Sequence, residues 1–149
     1  NKTFLGGRAA DGAIHRAAGP ELLEYCKTLG GAQTGEAKIT PAFNMKAKFI
    51  IHTVGPVWSG GNKNEHKLLA NAYHNCLHLA EDNKVKTIAF PSISTGVYGF
   101  PFEEACNTAL KAIAETVPSL HYIEEIALVT FSDNDYKQYL QIYNAFEKE

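Results

Sequence analysis

Three times along this chain a run of apolar, largely β-branched residues closes on a short loop and gives way to a segment of helical period. Nothing else in the sequence limits the possible folds as strongly. Phe49-Ile50-Ile51-His52-Thr53-Val54 ends at Gly55-Pro56, Lys86-Thr87-Ile88-Ala89-Phe90-Pro91 runs into the small-residue stretch Ser92 to Gly99, and Ile126-Ala127-Leu128-Val129-Thr130-Phe131 runs towards Asp133. Continuously apolar strands alternating with helices predict parallel strands covered on both faces and joined by right-handed crossovers. The fold class is therefore α/β. Helices are predicted over His66 to Asn83, over Phe102 to Val117 with Pro101 just ahead of the first turn, and after Asp133 as a cap, where Tyr136, Tyr139, Tyr143 and Phe146 read as core. Near the start, apolar residues at three- and four-residue steps run from Asp11, read as a helix-start residue, to Leu29. Gly19-Pro20 should split them into a helix ending near Ala18 and a second starting at Pro20. A weaker strand lies at Ala37 to Phe43. So few strands are thin cover for four or more helices, and strands preceding Asn1 would complete the sheet.

At 149 residues there is room for one domain core of ordinary size. With 45% hydrophobic against 20% charged residues, the chain can bury enough apolar surface to offset its conformational entropy. Fourteen Lys and Arg against sixteen Asp and Glu give a net charge of -2, without the basic stripe of a duplex-DNA binder, which argues against a nucleic-acid partner. No apolar run approaches the roughly 18 residues of a membrane span and no basic-then-apolar leader opens the sequence, so the expectation is a cytoplasmic protein with no membrane partner. Cys26, Cys76 and Cys106 are odd in number and widely spaced, which fits buried thiols rather than a zinc site or disulfide framework.

In open α/β sheets ligands sit at the carboxyl ends of strands, where loops lead into helices. The run Pro91-Ser92-Ile93-Ser94-Thr95-Gly96-Val97-Tyr98-Gly99-Phe100-Pro101 joins two glycines, three hydroxyls and a helix start, the ingredients of an N–H cradle for phosphate oxygens. It lacks the lysine of a Walker loop and the spacing of a dinucleotide fingerprint. Its composition fits a tight turn that merely needs glycine equally well. Leu5-Gly6-Gly7-Arg8-Ala9-Ala10-Asp11-Gly12-Ala13-Ile14-His15 is a glycine-bearing loop running into a helix, on which Asp11 and His15, four apart, share a face. They read as a ligand-facing pair or as a capping aspartate and a surface histidine.

Taken in order, Leu5-Gly6-Gly7 through Asp11-Gly12-Ala13-Ile14-His15-Arg16-Ala17-Ala18-Gly19-Pro20, then Thr34-Gly35-Glu36-Ala37-Lys38-Ile39-Thr40, Ile51-His52-Thr53-Val54-Gly55-Pro56 and Ser92 to Pro101 resemble the motifs of macrodomains, in particular the MacroD-like branch. The resemblance covers essentially the whole chain. It implies a three-layer α/β/α sandwich with a mostly parallel mixed sheet, a single domain over residues 1–149 whose first strands lie ahead of Asn1, and ADP-ribose as ligand. For many members of the branch it implies hydrolysis of mono-ADP-ribose from acidic side chains of modified proteins and deacetylation of O-acetyl-ADP-ribose, without metal or cofactor. By position, Asn1 would contact the distal ribose, Asp11 would position or activate the attacking water, and His15 would support the loop and tune Asp11. Gly6 and Gly7 fall in the first ligand loop. Ser94, Thr95, Gly96, Val97, Tyr98 and Gly99 fall on the diphosphate loop, with Gly96 close to the water, and Phe100 on the aromatic that packs against the distal ribose.

The family's first glycine tract is longer than Gly6-Gly7, and Arg8, Ala9 and Ala10 fill the next three places. If those positions needed positive φ, side chains there would cost on the order of a kcal/mol each. That departure favours a binding module without turnover, whereas Asp11 with His15 favours the enzyme. A degenerate structural or RNA-contacting macrodomain is a third reading, against which the net charge argues. His74 and His78, four apart with Cys76 between them, have a metal-ligand spacing, but no glutamate completes a zincin motif and they read as solvated helix histidines. His52 reads as a core or loop-supporting histidine, Trp58 as a packing anchor, and Asn62 to Lys67 as a solvated face.

Overall fold

The computed structural model describes residues 9–149. Asn1, Gly6, Gly7 and Arg8, singled out in the sequence, lie outside them. Helices α1 (Ala9–Ala18) and α2 (Pro20–Lys27) divide at Gly19, as the Gly-Pro step predicts. Gly19 has φ 93°, and Pro20 opens α2 where a missing N–H costs nothing. Helix α1 already begins at Ala9, so Ala9 and Ala10 are helical and the strain considered for alanine at those places does not arise. Asp11 accordingly sits inside the first turn and is not the residue that starts the helix.

Strand β1 (Ala37–Pro41) pairs with β2 (Phe49–Thr53) in antiparallel register, Ala37 opposite Thr53 and Pro41 opposite Phe49. This pair supplies the antiparallel part of the expected mixed sheet, and its connection explains the direction. Residues 42–48 form a return too short for a crossover, which takes a dozen or more residues. Helix α3 (Glu65–Asp82) leads to β3 (Thr87–Pro91), then α4 (Phe102–Thr116), a 3-10 turn (Val117–Ser119), β4 (Glu125–Val129) and α5 (Asp133–Glu147). Strands β3 and β4 are parallel, Thr87 opposite Glu125 and Pro91 opposite Val129, as the strand–helix–strand order requires. Among the described residues the two strand pairs form separate ladders.

The main core gathers Leu69, Tyr73, Cys76 and Leu77 of α3 with Phe90 of β3, Phe100, and Ala105, Ala109 and Ala112 of α4. Each large side chain enclosed there contributes roughly 1.5–3 kcal/mol. Ile88, Ile126 and Leu128 pack against the same cluster, while the alternate residues Ala89, Ala127 and Val129 are exposed. Among the described residues, α3 and α4 pack on one face of this pair. A second cluster joins Ala18, Leu22 and Cys26 to Ala42, Ile50 and Val54, so α1 and α2 are seated on the β1–β2 hairpin. A third, Cys106, Leu110 and Tyr139, docks α5 on α4. Only Tyr139 of the predicted α5 stripe is enclosed; Tyr136 and Tyr143 are exposed because the helix meets the protein along a narrow 139/142/146 seam. Its cap is Ser132, whose hydroxyl accepts from the Asp135 N–H at 3.1 Å, and not Asp133.

Candidate functional site

The loop between β3 and α4 folds back on itself. Thr95 N–H and Oγ1 both donate to the Ser92 carbonyl, Gly99 N–H to Gly96, and Phe100 N–H to Ser94, the last at 2.9 Å. Ser94 holds a left-handed φ of 68°, a conformation uncommon outside glycine, and Gly99 has φ 71°. The N–H groups of Gly96, Val97 and Tyr98 take no part in these bonds, and Val97 stands 80% exposed at the tip. Ser92 Oγ and Ser94 Oγ are buried with no hydrogen-bond partner among the described residues. Buried hydroxyls left in this state are uncommon and mark a place where something else donates or accepts.

On α1, His15 Nε2 lies 3.6 Å from Asp11 Oδ1, the two residues sharing one helix face as their spacing predicts. Asp11 Oδ2, the other carboxylate oxygen, is buried and has no hydrogen-bond partner among the described residues, and the same holds for His15 Nε2. Behind them His52 of β2 is buried, its Nε2 3.0 Å from Thr40 Oγ1. Burial, helped by the nearby His15 and opposed by Asp11, lowers the His52 imidazole from its ordinary value to about 4. It is therefore a neutral core histidine supporting the α1 pair, in line with its sequence reading.

The exit of β2 joins the two halves. Val54 belongs to the cluster under α1, and the next residue, Gly55, lies so close to the β3–α4 loop that an added Cβ would meet Ser94 Oγ at 2.3 Å and Ile93 Cγ2 at 2.6 Å. Sequence reasoning quoted Gly55 only as part of a motif. A glycine closing a buried strand was the available signal, since it allows another backbone to approach closely.

Phe100, expected against a sugar, is instead enclosed in the main core at 2% exposure, with its ring 4.8 Å from that of Trp58. Tyr98 is the loop aromatic that borders open space. With Gly55, Ser59 and Lys63 it lines a cavity of about 340 Å³. Sequence reasoning also missed Phe131. Read as part of a buried strand, it lies two residues beyond Val129, the register partner of Pro91, and is 94% exposed. Glu65 departs from its predicted solvated face too. Its carboxylate is buried and accepts N–H bonds from Ser59, Gly61 and Lys63 at 2.6–2.9 Å. Burial works against its charge, but these bonds outweigh it and lower the carboxyl to about 2.

His74 is engaged by Thr116 Oγ1 at 2.6 Å and by Glu115 at 3.6 Å. Among the described residues no group of three or more His, Cys, Asp or Glu side chains could hold a metal ion. The three cysteines are buried free thiols, and burial pushes Cys76 and Cys106 up to about 12. They carry no reactive thiolate. No described helix is long and apolar enough to cross a membrane.

The Macro domain family profile matches residues 1–109. A Macro domain-containing protein of Chlorobaculum tepidum is 53% identical over 139 residues, covering 93% of this chain and 81% of that protein. An O-acetyl-ADP-ribose deacetylase of Salmonella typhimurium is 46% identical over 146 residues, 95% of this chain and 82% of its own length. Among solved structures, an Oceanobacillus iheyensis macrodomain with ADP superposes with a TM-score of 0.94 at 41% identity, covering 99% of this chain and 81% of that one. A Trypanosoma brucei macrodomain in complex with ADP-ribose superposes at 0.89 with 36% identity, covering 96% and 60%.

Proposed function

This chain belongs to the Macro domain family, and from that membership and the geometry above we propose that it binds ADP-ribose and hydrolyses esters of it, O-acetyl-ADP-ribose or mono-ADP-ribose on acidic protein side chains. The observation that carries the reading is the set of buried, unpartnered polar atoms at both loops: Ser92 Oγ and Ser94 Oγ on one, Asp11 Oδ2 and His15 Nε2 on the other. A diphosphate supplies acceptors for the serine hydroxyls and for the free N–H groups of the loop, next to the N-terminus of α4. Tyr98 borders the space for the distal ribose. Phe131, exposed at the same strand ends, offers a face to the adenine.

An ester held in this register needs a water against its electrophilic carbon and an acceptor for the water's proton. Asp11 fits that role through its geometry. Oδ1 lies on the side of His15, and Oδ2 is left to accept from a water. As the water oxygen adds, its proton passes to Oδ2, the carbon–oxygen bond of the ester breaks, and the departing oxygen takes that proton back from Asp11, which restores the carboxylate. Asn1, Gly6 and Gly7 complete the distal-ribose side in this proposal. The relative named for O-acetyl-ADP-ribose deacetylase supports the ester chemistry.

Calorimetric titration with ADP-ribose, followed by turnover of O-acetyl-ADP-ribose, tests the reading. Saturable one-to-one binding and release of acetate are expected. Absence of binding would overturn it.

A further inference from the structure

Beneath the β3–α4 loop, side chains from four places in the chain converge. Trp58 comes from the segment after β2, His66 from the first turn of α3, Phe100 from the loop's end and Glu104 from the first turn of α4. The Trp58 and Phe100 rings are 4.8 Å apart, and His66 stands edge-on to both, 5.6 Å from Trp58 at 86° and 5.3 Å from Phe100 at 83°. Edge-to-face rings at these separations attract, each pair contributing beyond its buried area. The outer end of the imidazole is tied as well, Nε2 lying 2.8 Å from Glu104 Oε2. A carboxylate only accepts, so Nε2 carries the proton and donates it. The main-chain N–H of Trp58 donates to the Tyr98 carbonyl at 2.8 Å, so the residue whose ring sits in this cluster is also tied to the loop backbone beside the residues assigned to the ligand.

We propose that His66, held by Glu104, is a positioning residue for the diphosphate loop: it sets Phe100 and Trp58, and through the Trp58–Tyr98 bond the curvature of residues 94–100. The inference rests on reading this loop as the ligand cradle, and it adds residues to the site that touch no ligand. Two features of the arrangement give it content beyond packing. Phe100 N–H donates to the carbonyl of Ser94, the residue in the left-handed conformation at the loop's turn, so a shift of the Phe100 ring is passed to the backbone that shapes the loop. Glu103 and Glu104 also place two carboxylates in the first turn of α4, at the helix end that would favour an anion. His66 draws one of them aside. Its loss therefore loosens the loop and returns negative charge to the approach of a diphosphate.

The test compares His66→Ala, His66→Phe, Glu104→Gln and Glu104→Ala with His78→Ala, an exposed control on the same helix. Amide exchange at Trp58 and Phe100 is read without ligand, and ADP-ribose affinity and steady-state turnover with it. His66→Ala is expected to speed both amides at least tenfold, to weaken ADP-ribose about tenfold and to raise KM with little change in kcat. His66→Phe keeps the ring contacts and should fall between His66→Ala and the parent. Glu104→Gln still accepts from Nε2 and should rescue what Glu104→Ala loses. Unchanged exchange in His66→Ala, or equal acceleration in His78→Ala, would overturn the proposal. A parent chain that binds no ADP-ribose would contradict the functional reading instead, and the exchange comparison would still decide whether His66 sets the loop.

Discussion

Gly55 shows how much one residue can decide here. Its backbone is not left-handed, so the need for glycine comes from the approach of Ser94 and Ile93 and from nothing local. A Cβ at 2.3 Å from Ser94 Oγ forces one of the two to move, and Ser94 is already in an uncommon conformation. Gly55→Ala is expected to keep the far-ultraviolet circular dichroism of the parent and weaken ADP-ribose binding at least tenfold by titration. Parent-like affinity would mean the loop adjusts freely. His52 supplies a prediction in pH. Its imidazole is lowered to about 4 in the fold against an ordinary value of 6.5, so the unfolded chain binds the extra proton first. Stability from this group is fully present above 6.5 and is lost as pH falls towards 4, by up to about 3 kcal/mol. Denaturant unfolding at pH 7 and pH 4.5 should show the loss in the parent and a smaller one in His52→Gln. The Asp11–His15 pair was legible in the sequence because helical spacing alone puts i and i+4 on one face. The unpartnered Oδ2 was not, because it depends on which neighbours fail to arrive.

Among the elements, boundaries followed the sequence wherever a glycine or proline enforced them, at Gly19-Pro20, at Gly55-Pro56 and at Pro101. What apolar runs could not reveal was pairing. The β1–β2 return is antiparallel because its connection is short, and among the described residues α3 and α4 gather on one side of β3–β4. Helix α3 shows the same limit at its start. Asn64 precedes it in a left-handed conformation without a side-chain cap, and Glu65 turns back to satisfy three N–H groups of the incoming loop. Sequence spacing gave no warning, because a carboxylate in a helix's first turn ordinarily faces water. Glu65→Ala removes the buried carboxylate that these three loop N–H groups share, a loss that costs more than an ordinary surface change. Thermal unfolding is expected to shift down by several degrees, and the same loop carries Trp58, so its fluorescence should become more accessible to a neutral quencher. With the carboxyl lowered to about 2, its contribution is present above 4.5 and is lost only as pH falls towards 2. A midpoint equal to the parent's at pH 7 would contradict this role.

For the molecule as a whole, the fold was legible through ordered motifs rather than through any single one, since four blocks in sequence converge on the ends of the strands and on α1. The division of labour between the two loops follows from how they are built. Among the described residues the β3–α4 loop presents unpartnered N–H groups and hydroxyls and is suited to holding a diphosphate, whereas α1 presents a carboxylate beside a histidine, with one oxygen unpartnered, and is suited to moving a proton. Binding and turnover should therefore separate by mutation, as expected when a group acts mainly in the transition state. The most direct measurement of this account is release of ADP-ribose from a protein mono-ADP-ribosylated on glutamate, by the parent chain and by Asp11→Ala, with ADP-ribose affinity measured on both. The account predicts release by the parent, a fall of more than tenfold in the variant and affinities that differ little. Equal release by both, or affinity lost together with turnover, would contradict it, because Asp11 would then be dispensable to the reaction or merely part of the ligand's grip.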